Sequence, residues 1–311
     1  MNEVFRYLGY SKQAFHQKMD RRFREQEYKT LLLDIIVQLR QEHPGVAARV
    51  LYDILQPEHM GRDKFERFCF DHGLKLPKPK AYHRTTDSTG VVRFPNLAMG
   101  CELTHINQVW SSDITYYEIE KTYYLTFILD LFSRKIVGYS VSKRLLTEQT
   151  TIPALKMALR LRKPAPGLIF HSDGGGQYYN KAFLKLTQER KIKNSMCDVA
   201  YENPYAERVN GTIKNQYLKG YAPSGYASLV VMTKRAVNNY NKVRPLKSLS
   251  MRTPEVYEAL LPAGGCSPAK DVFLNCGKNT QHQMKKHPLP ANEKSLMKTS
   301  LKKVEKTVNV I

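Results

Sequence analysis

The sequence predicts an α/β fold, a mixed sheet with helices on both faces behind a helical N-terminal segment. Three observations predict it. The runs "QVWSSDITYYEI", "TYYLTFILDLF" and "KIVGYSVS" follow one another across short turns, the pattern of an antiparallel meander. Helical and strand patterns then alternate through "TIPALKMALRLRK", "GLIFHSD", "NKAFLKLTQERKI" and "KNSM", which adds further strands to the same sheet. Ahead of residue 76 the apolar periodicity is helical throughout. A chain of 311 residues holds about two domains with connectors.

The elements follow in order. In residues 1–75, "EQEYKTLLLDIIVQLRQEH" sets Leu31, Ile35 and Leu39 on one helix face, and Pro44 with Gly45 ends the run. "GVAARVLYDIL" and "RDKFERFCFDHGL", joined by the turn "QPEHMG", form a helix-turn-helix-like pair. Arg62, Lys64 and Arg67 on its second helix are candidate DNA contacts. Residues 76–107 are a basic, Pro-containing linker. Residues 108–260 carry the sheet, with Pro153 suited to a first helical turn, "YAERVNGTIKNQYL" and "ASLVVMTKRAVNNYNKV" as long helices, and "RPLKSLSMRTPEVY" as a turn. Residues 261–311 are a basic, core-poor, flexible tail.

Composition narrows the function classes. Hydrophobic residues make up 42% of the chain, enough for a core. No apolar run reaches the length of a membrane span and the N-terminus lacks an apolar signal region, so the expected location is the cytoplasm. The net charge of +21, from 49 basic and 28 acidic residues, exceeds what solubility needs and points to a polyanionic partner, nucleic acid above all. The five cysteines include no C-x-x-C pair, and the nine histidines lack zinc-finger spacing. The cysteines read as reduced structural thiols, without a structural zinc site.

Three acids stand out against this background. Asp113 lies in mid-strand, where an acid is costly unless it binds something. Asp173 ends the apolar strand "GLIFHSD", where open α/β sheets place their ligands. Glu207 stands near the start of a helix in "ENPYAERVNGTIK". Carboxylates suit hard divalent cations, and a pair of such ions activates an attacking oxygen and stabilises a leaving one at a phosphodiester. Gly174, Gly175 and Gly176 leave room for a phosphate backbone beside the acids, and Gln177 and Tyr178 are candidate DNA contacts. Each acid also has a structural reading: Asp113 as a cap or turn residue, Asp173 as a cap of the glycine turn. Asp130 in "LDLFSRK" reads as structural, and Glu202 as a residue that shapes its loop.

In this order, "NQVWSSDITYY", "LTFILDLFSRKIVGYSVS", "HSDGGGQYYN", "ENPYAERVNGTIK" and "YNKVRPLKSLSMRTPEVY" closely resemble the integrase core of second-frame transposases from two-frame bacterial insertion sequences, the "IS three" family. The resemblance covers about residues 100–258 and, more weakly, the N-terminal helix pair. It implies an RNase H-like integrase core, a five-stranded mixed sheet, with Asp113, Asp173 and Glu207 as a catalytic, metal-holding DDE triad. It also implies Mg²⁺ or Mn²⁺ as cofactor, two ions in all, and a DNA-contacting role for Lys214. The implied activity is cleavage at the element's ends followed by strand transfer, through circular or figure-eight intermediates. The implied partners are terminal-repeat and target DNA, further copies of the chain on paired ends, and an upstream-frame product with a helix-turn-helix and leucine zipper, joined by frameshifting. Such a protein works at the nucleoid.

Three departures from the family pattern are visible. The 33 residues between Asp173 and Glu207 are fewer than is usual, with the shortening in "CDVAYENP". Leu246 replaces the histidine of the family's "RPH", and Gln216 replaces an acid beyond Lys214. Two other functions compete with the transposase: an RNase H-like nuclease without strand transfer, and a DNA-binding regulator from a decayed element. The basic helical N-terminus and the "RPLKSLSMRTPEVY" block argue against the first, and the presence of all three acids against the second.

Overall fold

The computed structural model describes residues 11–76, 94–197 and 203–262, the backbone of strand 266–272, and residues 5, 7 and 9. The chain divides into two compact units, 1–274 and 275–311, and every described residue belongs to the first. Most of the linker, the loop 198–202 with Glu202, and nearly all of the tail lie outside the described residues.

Three helices open the chain: α1 (Lys12–Glu42), α2 (Ala48–Leu55) and α3 (Arg62–Asp71). The Ser11 side chain caps α1 by accepting from the Ala14 N–H at 3.0 Å. The buried face of α1 lies one residue away from the expected one. Leu32 and Ile36 are buried, whereas Leu31 and Ile35 are 61% and 39% exposed. Helix α3 turns Phe65, Phe68 and Cys69 inward and leaves Arg62, Lys64 and Arg67 exposed.

A five-stranded sheet follows. Its strands are β2 (Val109–Glu118), β3 (Thr122–Asp130), β4 (Ile136–Ser142), β5 (Ile169–Ser172) and β6 (Lys193–Met196), in the spatial order β4-β3-β2-β5-β6. β3 is antiparallel to β2 and β4, while β5 is parallel to β2 and β6. The meander and the two added strands expected from the sequence are both present. The helices are α4 (Thr151–Arg162), α5 (Lys181–Glu189), α6 (Pro204–Thr212), α7 (Tyr226–Lys242) and α8 (Pro254–Ala259). After α6 the helix widens into a π-helical turn, Ile213–Leu218, and closes with an α-helical turn, Lys219–Tyr221. A separate ribbon pairs β1 (Glu102–His105) with β7 (Cys266–Val272), segments the sequence reading had left in the linker and the tail.

Each sheet face has its own core. Trp110, Ile128, Val137 and Phe170 pack with α4 and α5 residues such as Leu155, Ala158 and Phe183. Gly138 allows that approach, because a Cβ there would lie 2.4 Å from the Ala154 carbonyl oxygen. On the other face Val109, Leu125, Phe127 and Leu129 share one cluster with Val209, Ile213 and Tyr217, and with Leu32, Ile36, Leu51 and Phe65 of the N-terminal helices. The C-terminal end of α1 is tied to the later helices. The Glu42 carbonyl accepts from Tyr221 Oη at 2.6 Å and Asn239 Nδ2 at 3.0 Å, and the Gly45 N–H donates to the Gln216 carbonyl at 2.8 Å. These bonds satisfy carbonyls that helix ends and a widened turn leave without regular partners.

Candidate active site

The parallel ladder between β2 and β5 ends at the pair Ser112–Ser172. Asp113 follows in β2 and Asp173 follows the end of β5, so the register sets the two acids next to each other where the ladder stops. Strand alternation puts Ser111, Asp113, Thr115 and Tyr117 on the face covered by α6 and its π turn. Each of the four meets that helix. Ser111 Oγ donates to Asn203 Oδ1, Asn210 Nδ2 donates to Asp113 Oδ2 at 2.7 Å, Lys214 Nζ donates to Thr115 Oγ1 at 3.2 Å, and Tyr117 Oη donates to the Leu218 carbonyl at 3.1 Å. Six strand steps rise about 20 Å and fifteen helical residues about 22 Å, so the two elements stay in step over the whole contact.

This ladder brings Glu207 to the acids. Asn203, at the N-cap of α6, also donates from Nδ2 to the Ser112 carbonyl at 2.9 Å, so both arms of its amide hold the helix start against β2. Pro204 suits the first helical position, and an acid in the first turn meets the positive end of the helix dipole. Glu207 is in that turn, and its charge is felt at Asp113.

Burial first, then the charges of Asp173 and Glu207, push the Asp113 carboxyl up to about 7, against the opposing bonds from the Ile114 N–H and Asn210. Burial also raises Asp173, opposed by the Gly175 N–H, which donates to Asp173 Oδ1 at 3.2 Å. No ion pair among the described residues engages Asp113 or Asp173. Nor do three His, Cys, Asp or Glu side chains among the described residues converge closely enough to hold a metal ion as they stand. The charges of Asp173 and Glu207 both reach Asp113, and Asp113 Oδ2 and Asp173 Oδ1 are already engaged by the protein.

His171 is fully buried, with Nδ1 3.0 Å from Ser195 Oγ and Nε2 3.2 Å from Cys197 Sγ, so it ties β5 to the chain at and just beyond β6. Ser172 closes the ladder. None of Gly174, Gly175 and Gly176 has a positive φ, so the backbone path does not demand glycine. A Cβ on Gly175 would lie 3.1 Å from Asp173 Oδ1, and one on Gly176 would meet nothing within 4 Å. The glycines keep the rim beside Asp173 bare.

Tyr178 needs a correction. The sequence reading placed it among the DNA contacts, but it is only 2% exposed. Its ring packs edge-on against Phe183, and its hydroxyl is 3.0 Å from Ser112 Oγ. The short 3₁₀ turn Gly176–Tyr178 sends it into the core. Gln177 remains partly exposed, and its carbonyl accepts from Thr151 Oγ1 at 3.2 Å. Lys214 is half-buried, with Nζ 4.6 Å above the Tyr116 ring, and burial lowers its pKa.

Asp130 has the structural role expected of it. It is wholly buried and accepts from the backbone N–H groups of Asn107, Phe132 and Ser133 at 2.7, 3.0 and 3.2 Å. Arg162 bridges Asp130 at 3.3 Å and Glu258 at 2.8 Å, and Lys135 joins Glu258 at 2.9 Å. Leu246, in place of the family's histidine, packs against the larger core cluster, and its N–H donates to the Arg252 carbonyl at 3.0 Å. The site residues missed by sequence reading are Asn203 and Asn210. Both lie inside the quoted "ENPYAERVNGTIK", yet only the fold shows what they touch.

Comparison with known proteins agrees with this architecture. Two family models, both described as "Integrase core domain", match residues 104–201 and 189–254. The fold and the match together define a polynucleotidyl transferase of the integrase-core, DDE type. The chain is 32% identical over 220 residues to the insertion element IS600 uncharacterized 31 kDa protein of Shigella sonnei, covering 68% of this chain and 79% of that one. It is 31% identical over 159 residues to the transposase InsF for insertion sequence IS3A of Escherichia coli K12, covering 49% of this chain and 54% of InsF. The chain thus spans about half the length of InsF. The catalytic core domain of HTLV-2 integrase, solved with magnesium, is 25% identical, with a TM-score of 0.41 over 49% of this chain and 95% of that one. The chain belongs to the IS3 family of insertion-sequence transposases.

Proposed function

We propose that this transposase cuts the ends of its own insertion sequence and joins them to target DNA at a site formed by Asp113, Asp173 and Glu207. The observation that carries the reading is the placement of Asp113 and Asp173 as adjacent residues beyond the β2–β5 ladder, under the helix that bears Glu207. Neither aspartate is ion-paired among the described residues. The donor set fits a divalent cation: it is all oxygen, it carries excess negative charge, and at its edge is a buried amide oxygen, Asn210 Oδ1, without a partner among the described residues. Mg²⁺ and Mn²⁺ both accept such ligands, and two ions are proposed. When bound, they supply Lewis-acid activation of the attacking oxygen and charge neutralisation at the departing one.

The side chains have distinct parts. Asp113, Asp173 and Glu207 hold the ions, and Asn203 fixes the helix that delivers Glu207. In the first step water adds to a phosphorus at the element end, and the 3′ oxygen leaves and takes a proton. In the second, that 3′-hydroxyl attacks another phosphodiester and displaces its 3′ oxygen, so the number of phosphodiester bonds is conserved. No covalent bond to the protein is needed. Lys214 and Gln177, beside the acids, contact the DNA strand near the cut, and the exposed Arg62, Lys64 and Arg67 of α3 contact duplex phosphates.

The working division of the chain is a helix-turn-helix-like DNA-binding region (1–75), a linker (76–107), the catalytic core (108–260) and a basic tail (261–311). End recognition uses further copies of the chain on paired ends, together with the upstream-frame helix-turn-helix and leucine-zipper product, at the nucleoid. Among the described residues no helix is long and apolar enough to cross a membrane. The test is an assay on DNA carrying the element's ends, with the chain alone and fused to its upstream-frame product, in Mg²⁺ or chelator. Joined products that need Mg²⁺ and vanish in Asp173→Asn are expected. Nicking without joining, or binding without either in both forms, overturns the proposal.

A further inference from the structure

Two asparagines lie on the ladder between β2 and the α6 helix, and their hydrogen bonding differs. Asn203 is 2% exposed and uses both amide arms, accepting from Ser111 and donating to the Ser112 carbonyl. Asn210 is 5% exposed and uses one arm. Its Nδ2 donates to Asp113 Oδ2 at 2.7 Å, while its Oδ1 is buried with no hydrogen-bond partner among the described residues. A buried acceptor without a donor costs about 1–3 kcal/mol, so its retention calls for an explanation. The orientation of the amide follows from its neighbour, because an ionised carboxylate, the form that binds a cation, only accepts and so faces the NH₂ group. Asn210 is three residues beyond Glu207 in the chain, on the adjoining part of the helix surface.

We infer that Asn210 is a positioning residue for the cation site, holding one oxygen of Asp113 so that the other faces the ion, and offering its free Oδ1 to a water of the ion's hydration shell. The inference rests on the proposed function, in that it takes Asp113 as a ligand. It differs from that reading by assigning part of the affinity to a neutral side chain that does not itself bind the ion. Groups that orient metal ligands in this way change metal affinity by about 10–100-fold when removed. Asn203 is the internal control, since its amide is satisfied within the protein and holds backbone rather than a ligand.

The test is Mn²⁺ binding to the full chain, measured by calorimetry without DNA, alongside thermal unfolding in chelator. Asn210→Leu fills the volume without a polar group, and Asn210→Ser is the smaller second variant should the first fail to fold. Both are expected to raise the Mn²⁺ Kd by about 10-fold or more, with both variants still folded in chelator. Asp113→Asn is expected to abolish binding. An unchanged Kd in a folded Asn210 variant, with binding lost in Asp113→Asn, overturns the role of Asn210 and leaves the cation site standing. Mn²⁺ binding that survives Asp113→Asn, or a parent chain that takes up no Mn²⁺, overturns the cation site and the role of Asn210 together.

Discussion

Two groups of acids lie at this sheet, and their surroundings differ. At the end of β3, Asp130 receives three backbone N–H groups and shares Arg162 with Glu258, which Lys135 also reaches. Burial pulls the Glu258 carboxyl up, but the hydrogen bonds and charges around it, from Arg162 first, outweigh burial and hold it below its ordinary value. Further along β2 and just beyond β5, neither Asp113 nor Asp173 is ion-paired among the described residues, and burial raises both, as it also raises Asp130. One group is balanced by the protein itself. The other has no counter-charge among the described residues, and the proposed cation would supply it. A buried acid is therefore no sign of function by itself, and the source of its counter-charge is what distinguishes the two groups.

The largest expected effect lies in the unbalanced group. Asp113→Asn or Asp173→Asn should lower cleavage and strand transfer by on the order of 10³-fold or more, with end-DNA binding by gel shift retained. In the balanced group the damage should fall on stability instead. Arg162→Met leaves two carboxylates buried without their shared cation and should cost about 3–5 kcal/mol in denaturant unfolding.

The unbalanced group should also show in the pH response of stability. Asp113 has a folded pKa of about 7 against an ordinary value of 3.8. Between those values the folded state holds a proton that the unfolded state has lost. Stability without metal should therefore be greatest at the acid end of this window and fall as pH rises through it, by on the order of a few kcal/mol. Asp113→Asn should flatten that slope, seen as a higher Tm than the parent at pH 8 in chelator. Smaller effects come from the ladder. Asn203→Ala strands Ser111 and the Ser112 carbonyl and should cost about 1–3 kcal/mol in chemical denaturation. Lys214→Met should change stability by about 1 kcal/mol or less while weakening binding to end DNA, since its bonds to Thr115 and Tyr116 are modest.

Much of this was legible in the sequence because it is local. Alternation marked β2, β3 and β4, and the acids at 113 and 173 showed as polar residues in or at the end of apolar runs. The parts that were not legible depend on pairings across the chain. Asn210 reaches Asp113 and Asn203 reaches Ser112 only once α6 is laid along β2, and nothing in the spacing announces that overlay. Strand β1 pairs with β7 from the far end of the unit, so neither segment has a periodic partner nearby. In "GQYY" the two tyrosines are equivalent on paper, and a single 3₁₀ turn decides that Tyr178 goes into the core. In α1 the run "LLLDII" offers adjacent apolar residues, and packing chose Leu32 and Ile36 over Leu31 and Ile35.

The most direct test sets the two groups side by side: strand transfer of element-end DNA in Mg²⁺ by Asp113→Asn and Asp130→Asn, both assayed below their unfolding temperatures. The prediction is a folded, inactive Asp113→Asn protein and a less stable Asp130→Asn protein that still joins DNA. Strand transfer by Asp113→Asn at the parent's rate, or its loss from a folded Asp130→Asn protein alone, contradicts the assignment of the unbalanced acids to the reaction.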